Sequence, residues 1–184
     1  MWRCPRHGRL PYRQEAAMIQ EFHPRRTAIV EFALPNLDGR LVRRRDFHGK
    51  RNLVVAFVHS LACSDCQRLL EGLKRAESAI RDWTATVLVV ARERPEQSVQ
   101  QPFPTLVDLG GRATASCLGA EALPYPACVM VLDRWGEAAA AWCVQHGDEL
   151  PMEQVVEALR LKDTECPECG VPTPEWLEQA SSPM

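Results

Sequence analysis

Apolar positions along the chain fall into two patterns. Leu53 to Val58 and Thr84 to Val90 are continuous apolar runs bounded by polar residues, which predicts strands buried on both faces. Between them, Leu69, Leu70, Leu73, Ala76 and Ile80 recur at the helical period and predict one amphipathic helix after the first run. Leu34 to Val42 reads as strand, Asp38-Gly39 turn, strand. Thr27 to Phe32 alternates like a strand, and Gln14 to Phe22 fits a short helix. Further on, Pro104 to Leu109 predicts a short strand and Arg112 to Leu118 a helical turn. Ala127 to Leu132 and Glu137 to Val144, joined at Asp133 to Gly136, predict a hairpin. Pro151 opens a helix over Met152 to Leu161. Strands alternating with helices, then a hairpin and a helix, predict an α/β domain with a mixed sheet.

Composition narrows the possibilities. The chain has 184 residues, 46% hydrophobic and 25% charged, which fits one globular domain with appendages. The boundaries read as a basic arm over 1–26, a domain over 27–162 and a tail over 163–184. A net charge of −2 gives no global field for nucleic acid. No apolar run approaches the roughly 20 residues of a membrane-spanning helix. The Arg-rich start lacks the apolar core of an export signal, so a cytoplasmic location is expected.

Eight cysteines are the departure from average: Cys4, Cys63, Cys66, Cys117, Cys128, Cys143, Cys166 and Cys169. In a reducing compartment, paired cysteines point to redox chemistry or metal more than to structural disulfides. Cys63-Ser64-Asp65-Cys66 follows a buried strand and opens a helix. Free amides at a helix N-terminus favour a thiolate, and the second thiol lies one turn on. Cys66 falls on the apolar face with Leu69, Leu70 and Leu73. Cys63 is therefore the expected attacker and Cys66 the expected resolver. Asp65, between them, is expected to oppose the helix field by like-charge repulsion.

The stretch from Phe57 to Cys66 resembles the active-site strand and turn of the thioredoxin-like superfamily. It is most similar to peroxiredoxin-like redoxin domains of the alkyl hydroperoxide reductase/thiol-specific antioxidant type. Phe32 to Val42, Pro104 to Asp108 and Pro126 to Gly136 resemble further motifs of that family, so the resemblance spans roughly residues 28–161. It implies a thioredoxin-like fold: a central mixed sheet flanked by helices, with an extra N-terminal hairpin and an irregular Cys-containing C-terminal tail. It also implies that Cys63 attacks a protein disulfide or a hydroperoxide. Ser60 would offer a hydroxyl beside the thiolate, Pro126 would be a cis-proline facing it, and an external thiol would act as reductant. No organic cofactor is implied. The alternative for Pro126 is an ordinary trans turn residue. Two positions depart from the peroxiredoxin pattern. Ala56 replaces the usual proline, and Pro126-Ala127-Cys128 lacks the usual arginine. Both departures put thiol–disulfide exchange ahead of peroxide reduction.

Cys166-Pro167-Glu168-Cys169-Gly170 looks like a zinc knuckle, and Cys4-Pro5-Arg6-His7-Gly8 repeats its proline and glycine placement. Cys166, Cys169, Cys4 and His7 would together hold a structural zinc. The tail pair read as a redox relay, or as inert, is the competing account. A non-catalytic binding module whose paired thiols hold metal or a partner is the alternative to an enzyme. The remaining residues have plainer readings. Cys117, Cys128 and Cys143 are expected to pack as small hydrophobes. The Arg43 to Arg51 cluster should be solvated surface. Trp83, Trp135 and Trp142 should pack, and His59 should be a structural histidine.

Overall fold

The computed structural model describes residues 20–22, 29–95, 102–147 and 149–164. Among the described residues, eight strands and four α-helices form, the strands being β1 (Gln20–Phe22), β2 (Ala33–Pro35), β3 (Leu41–Arg43), β4 (Asn52–Val58), β5 (Ala85–Ala91), β6 (Thr105–Val107), β7 (Ala127–Leu132) and β8 (Ala138–Val144). The helices are α1 (Ser64–Arg75), α2 (Glu77–Asp82), α3 (Arg112–Leu118) and α4 (Met152–Thr164). The main sheet runs in the order β1-β8-β7-β4-β5-β6. β4, β5 and β6 are parallel, whereas β7 and β8 run antiparallel to their neighbours. Five of these strands make the core sheet, and β1 adds an edge against β8. β2 and β3 form a separate hairpin.

β4 explains the layering. All seven of its residues are buried. Val54, Ala56 and Val58 face one core with Leu69, Leu70, Leu73, Ile80, Val155 and Leu159 from the helices. Leu53, Val55 and Phe57 face a second core with Phe32, Leu34, Leu118 and Met130. A strand with apolar partners on both faces has no reason to alternate polar residues, as its sequence shows.

Several elements differ from the sequence expectation. Gln20–Phe22 is strand β1, because the free edge of β8 offers a backbone ladder that a short marginal helix cannot match. Of Thr27 to Phe32, Ile29 makes only an isolated bridge to Glu137. The expected long helix breaks at Ala76 into α1 and α2. Arg44 is buried rather than solvated. Its guanidinium pairs with Glu31, reaches the Trp135 carbonyl at 3.1 Å and His48 Nδ1 at 2.9 Å. That hydrogen bond holds the Glu31 carboxyl below the ordinary carboxylate range. Trp142 is in the core, while Trp135 is 45% exposed at the hairpin turn. Asn36 organises the β2–β3 turn, its side-chain oxygen accepting from the Asp38 and Arg40 amides, with Gly39 in the left-handed region.

Cys128 and Cys143 form a disulfide between β7 and β8, correcting the expectation that they pack as separate thiols. They stand directly opposite in register, with Cα atoms 4.0 Å apart, on the face of the second core. Cys117 packs against that same core as a free thiol, as expected. The calls on Cys4, His7, Cys166 and Cys169 lie outside the described residues. Among the described residues, no helix is long and apolar enough to cross a membrane.

Replacing Cys128 and Cys143 together with alanine should lower the unfolding free energy by about 3 kcal/mol, as expected for a loop of this length. Urea denaturation measures the loss, and non-reducing peptide mapping of the native protein should recover the linked pair.

Candidate functional site

The site forms where β4 ends and α1 begins. The last β4 residue hands over to His59, whose amide donates to the Pro126 carbonyl at 2.9 Å. The loop then tightens at Ser60. Its carbonyl accepts from the Cys63 amide at 3.3 Å, and its hydroxyl oxygen accepts from the Ala62 amide at 3.3 Å. Cys63 takes an extended conformation (φ −79°, ψ 131°) as the N-cap of α1, and its carbonyl accepts the first helical bond, from Gln67 at 2.9 Å. Its sulfur therefore sits at the end of the helix where unpaired amides gather.

The two sulfurs occupy unlike surroundings. Cys63 is half-buried, whereas Cys66 is 0% exposed in the core behind it. The Cys66 thiol donates to the Pro126 carbonyl at 3.2 Å, and its sulfur lies 3.4 Å from His59 Nδ1. Burial pushes the Cys66 thiol up from the ordinary 9.0 to about 12, with the Ser60 and His59 backbones partly offsetting it and Cys63 adding to it. One His59 ring nitrogen, Cys63 Sγ and Cys66 Sγ all lie within 4.8 Å of one another. Pro126 is trans, as is every peptide bond among the described residues. The cis geometry implied by the family resemblance is therefore absent. Its carbonyl instead continues the β4–β7 pairing toward His59 and covers the Cys66 thiol.

The first turn of α1 is held from outside. Asp65 pairs with Arg68, and His146 Nδ1 lies 3.4 Å from its carboxylate. The Asp65 carboxylate is thus held by the Arg68 guanidinium, with the His146 imidazole beside it. The following Gly147 lies directly against the helix backbone. A Cβ there would come within 1.8 Å of the Asp65 carbonyl oxygen and 2.6 Å of the Leu69 amide.

No family model and no curated protein sequence matches the chain. Solved structures do. Peroxidoxin BcpB from Mycobacterium tuberculosis superposes with a TM-score of 0.55 at 13% identity, over 72% of this chain and 93% of that one. A thiol:disulfide interchange protein DsbE from Chlorobium tepidum gives 0.56 at 17% identity, over 71% and 94%. A peroxiredoxin-like protein from Aquifex aeolicus gives 0.54 at 16% identity, over 71% and 82%. The fold is thioredoxin-like. Within it, the CxxC pair occupies the strand-to-helix turn that the sequence placed there, and the two cysteines lie near each other.

The thioredoxin-like core also brings in two residues outside the expected site. His59, expected as a structural histidine, is hydrogen-bonded, and its partner is the Cys66 thiol. Arg92, read as the start of a polar loop, follows directly after β5 and is half-buried. Its guanidinium donates to the Leu123 carbonyl and, at 2.7 Å, to the Tyr125 carbonyl, fixing the segment that leads into Pro126. Burial holds the Arg92 guanidinium below its ordinary range, with Cys66, Asp108 and Glu93 acting the other way. The signal for His59 was its place at the end of a buried strand beside a CxxC. Arg92 had no comparable signal, because its role depends on β5 lying next to β4. Asp108, within one of the family-like motifs, is buried and caps α3, accepting from the Ala113 and Thr114 amides and the Thr114 hydroxyl. A cavity of about 360 Å³ under the β2–β3 hairpin, lined in part by Asn36, Val42, Phe47 and Leu88, contains none of the site residues.

Three outcomes follow. Gly147→Ala should destabilise the protein by about 1–3 kcal/mol, because the new methyl displaces α1; the urea midpoint should fall with the slope unchanged. Iodoacetamide should label Cys63 and spare Cys66 below about pH 10, since the buried thiol keeps its proton well above the ordinary range; peptide mass spectrometry reads both sites. The same shift makes the folded state lose stability as pH rises from 9.0 toward about 12, because the unfolded chain releases the Cys66 proton first.

Proposed function

We propose that the protein is a thiol–disulfide oxidoreductase in which Cys63 attacks and Cys66 resolves. One observation carries this reading: two adjacent sulfurs of unequal burial, the outer one capping a helix and the inner one held against the Pro126 carbonyl. The nucleophile has to meet the substrate, and the resolver has to stay shielded until the mixed disulfide forms.

The Cys63 thiolate attacks one sulfur of a protein disulfide. A Cys63–substrate bond forms, the substrate's sulfur–sulfur bond breaks, and the leaving sulfur takes a proton from water. Cys66 then gives up its proton and attacks the Cys63 sulfur. The Cys63–Cys66 disulfide forms and the second substrate sulfur leaves as a thiol. The substrate gains two electrons, which an external thiol reductant later returns to the pair. The chemistry requires no organic cofactor. Ser60 supports the loop that presents Cys63, and Pro126 supplies the carbonyl over Cys66.

Peroxide reduction is the second reading, favoured by the peroxiredoxins among the structural neighbours. Here Cys63 would become a sulfenic acid, which Cys66 would condense to a disulfide with loss of water. Arg92 weighs against it. Its guanidinium commits donors on both terminal nitrogens to the Leu123 and Tyr125 carbonyls, which leaves fewer to polarise a peroxide. The reading keeps a cytoplasmic location as part of the proposal. The Cys128–Cys143 bond pulls toward an oxidising compartment, and cell fractionation decides between them.

Insulin reduction and hydrogen peroxide consumption, each with a thiol reductant, test the proposal. Wild type should reduce insulin faster than it consumes peroxide, and Cys63→Ser should fall to the uncatalysed rate. Cys66→Ser should accumulate a mixed disulfide, seen as a mass adduct that dithiothreitol removes. Inactivity of the wild type in both assays would overturn the proposal in favour of a non-catalytic binding module.

A further inference from the structure

His59, Cys63 and Cys66 bring one imidazole nitrogen and two sulfurs to a common point, within 4.8 Å of one another. This grouping has a use that disulfide exchange does not require. Tetrahedral zinc, with bonds of about 2.3 Å to sulfur and about 2.0–2.1 Å to nitrogen, sets those two donors about 3.6 Å apart. Cys66 Sγ and His59 Nδ1 already stand 3.4 Å apart. The backbone holds all three donors in place. The His59 backbone is fixed by the hydrogen bond its N–H donates to the Pro126 carbonyl, and the two cysteines are one helical turn apart at the start of α1.

The donor set is selective. Thiolate and imidazole suit zinc and other thiophilic cations, whereas calcium and magnesium prefer oxygen. Two sulfurs and one nitrogen leave a fourth tetrahedral position. His59 and Cys63 are both half-buried, so the cluster reaches solvent on their side.

We propose that the reduced protein binds one zinc ion through His59 Nδ1, Cys63 Sγ and Cys66 Sγ, with an open fourth coordination position. On binding, the metal replaces the thiol protons, which pass to solvent, and nothing is oxidised or reduced. A Cys63–Cys66 disulfide removes two of the three donors, so zinc binding and disulfide formation exclude each other. The proposal rests on the placement of three donors and stands whether or not the pair exchanges disulfides with a substrate.

The test uses full-length protein carrying Cys166→Ser and Cys169→Ser, which removes the other expected thiol pair. Anaerobically reduced protein is titrated with zinc against a chromophoric chelator, and cobalt(II) is added separately as a spectroscopic probe. One equivalent of zinc should bind, and cobalt should give the thiolate charge-transfer and tetrahedral ligand-field bands. Cys63→Ser or His59→Ala, added to that background, should weaken zinc binding beyond the roughly 10–100-fold that loss of a mere supporting residue costs. Because Cys63 and His59 are both half-buried, far-UV circular dichroism should show these variants folded. Oxidising the Cys63–Cys66 pair should abolish binding. The proposal fails if the tail variant binds no zinc, if only the tail cysteines matter, or if His59→Ala leaves affinity unchanged.

Discussion

A strand buried on both faces has to end where its backbone can find other partners, and β4 ends against the first turn of α1. That junction fixes the chemistry. The last hydrogen bonds of the β4–β7 pairing run to the Pro126 carbonyl, which accepts both the His59 amide and the Cys66 thiol. The same few residues that terminate the sheet therefore shield one sulfur and leave the other at the helix end. Burial does the rest. Taking a thiol out of water penalises its charged form, so the inner sulfur stays protonated where the outer one meets solvent.

The two cores keep two kinds of sulfur apart. The CxxC pair belongs to the face covered by α1, α2 and α4, whereas Cys128, Cys143 and Cys117 belong to the opposite face. β7 contributes to both, since alternate residues point to opposite sides of a sheet. Ala127 and Val129 pack beneath the helices, and Cys128 between them points the other way, to its partner on β8. A disulfide and a dithiol can thus coexist within one sheet without sharing a face.

Local supports matter more here than the motif's four letters suggest. Gly147 allows the segment after β8 to touch the α1 backbone, which a side chain would prevent. Arg92 ties the segment before Pro126 to the end of β5. Both act on the geometry around the sulfurs from distant parts of the chain, and both connect the strand-to-helix turn to neighbouring strands.

Much of this was legible in the chain itself. The apolar run at β4, the helical period after Cys63 and the hairpin about Gly136 follow from side-chain spacing, because burial on one or two faces imposes a period on the sequence. The order of burial of Cys63 and Cys66 was legible for the same reason. The Cys128–Cys143 bond was not. Each cysteine lies seven residues from the Trp135–Gly136 turn, but the pairing depends on a register that shifts between Val131 and Leu132. The trans state of Pro126, the strand at Gln20–Phe22 and the burial of Arg44 were likewise set by neighbours far along the chain. Spacing determined which residues are inside and which element each joins. Which donors and sulfurs meet was decided only when β5, β7 and the loop after β8 packed around β4, because contact between distant segments leaves no period in the sequence.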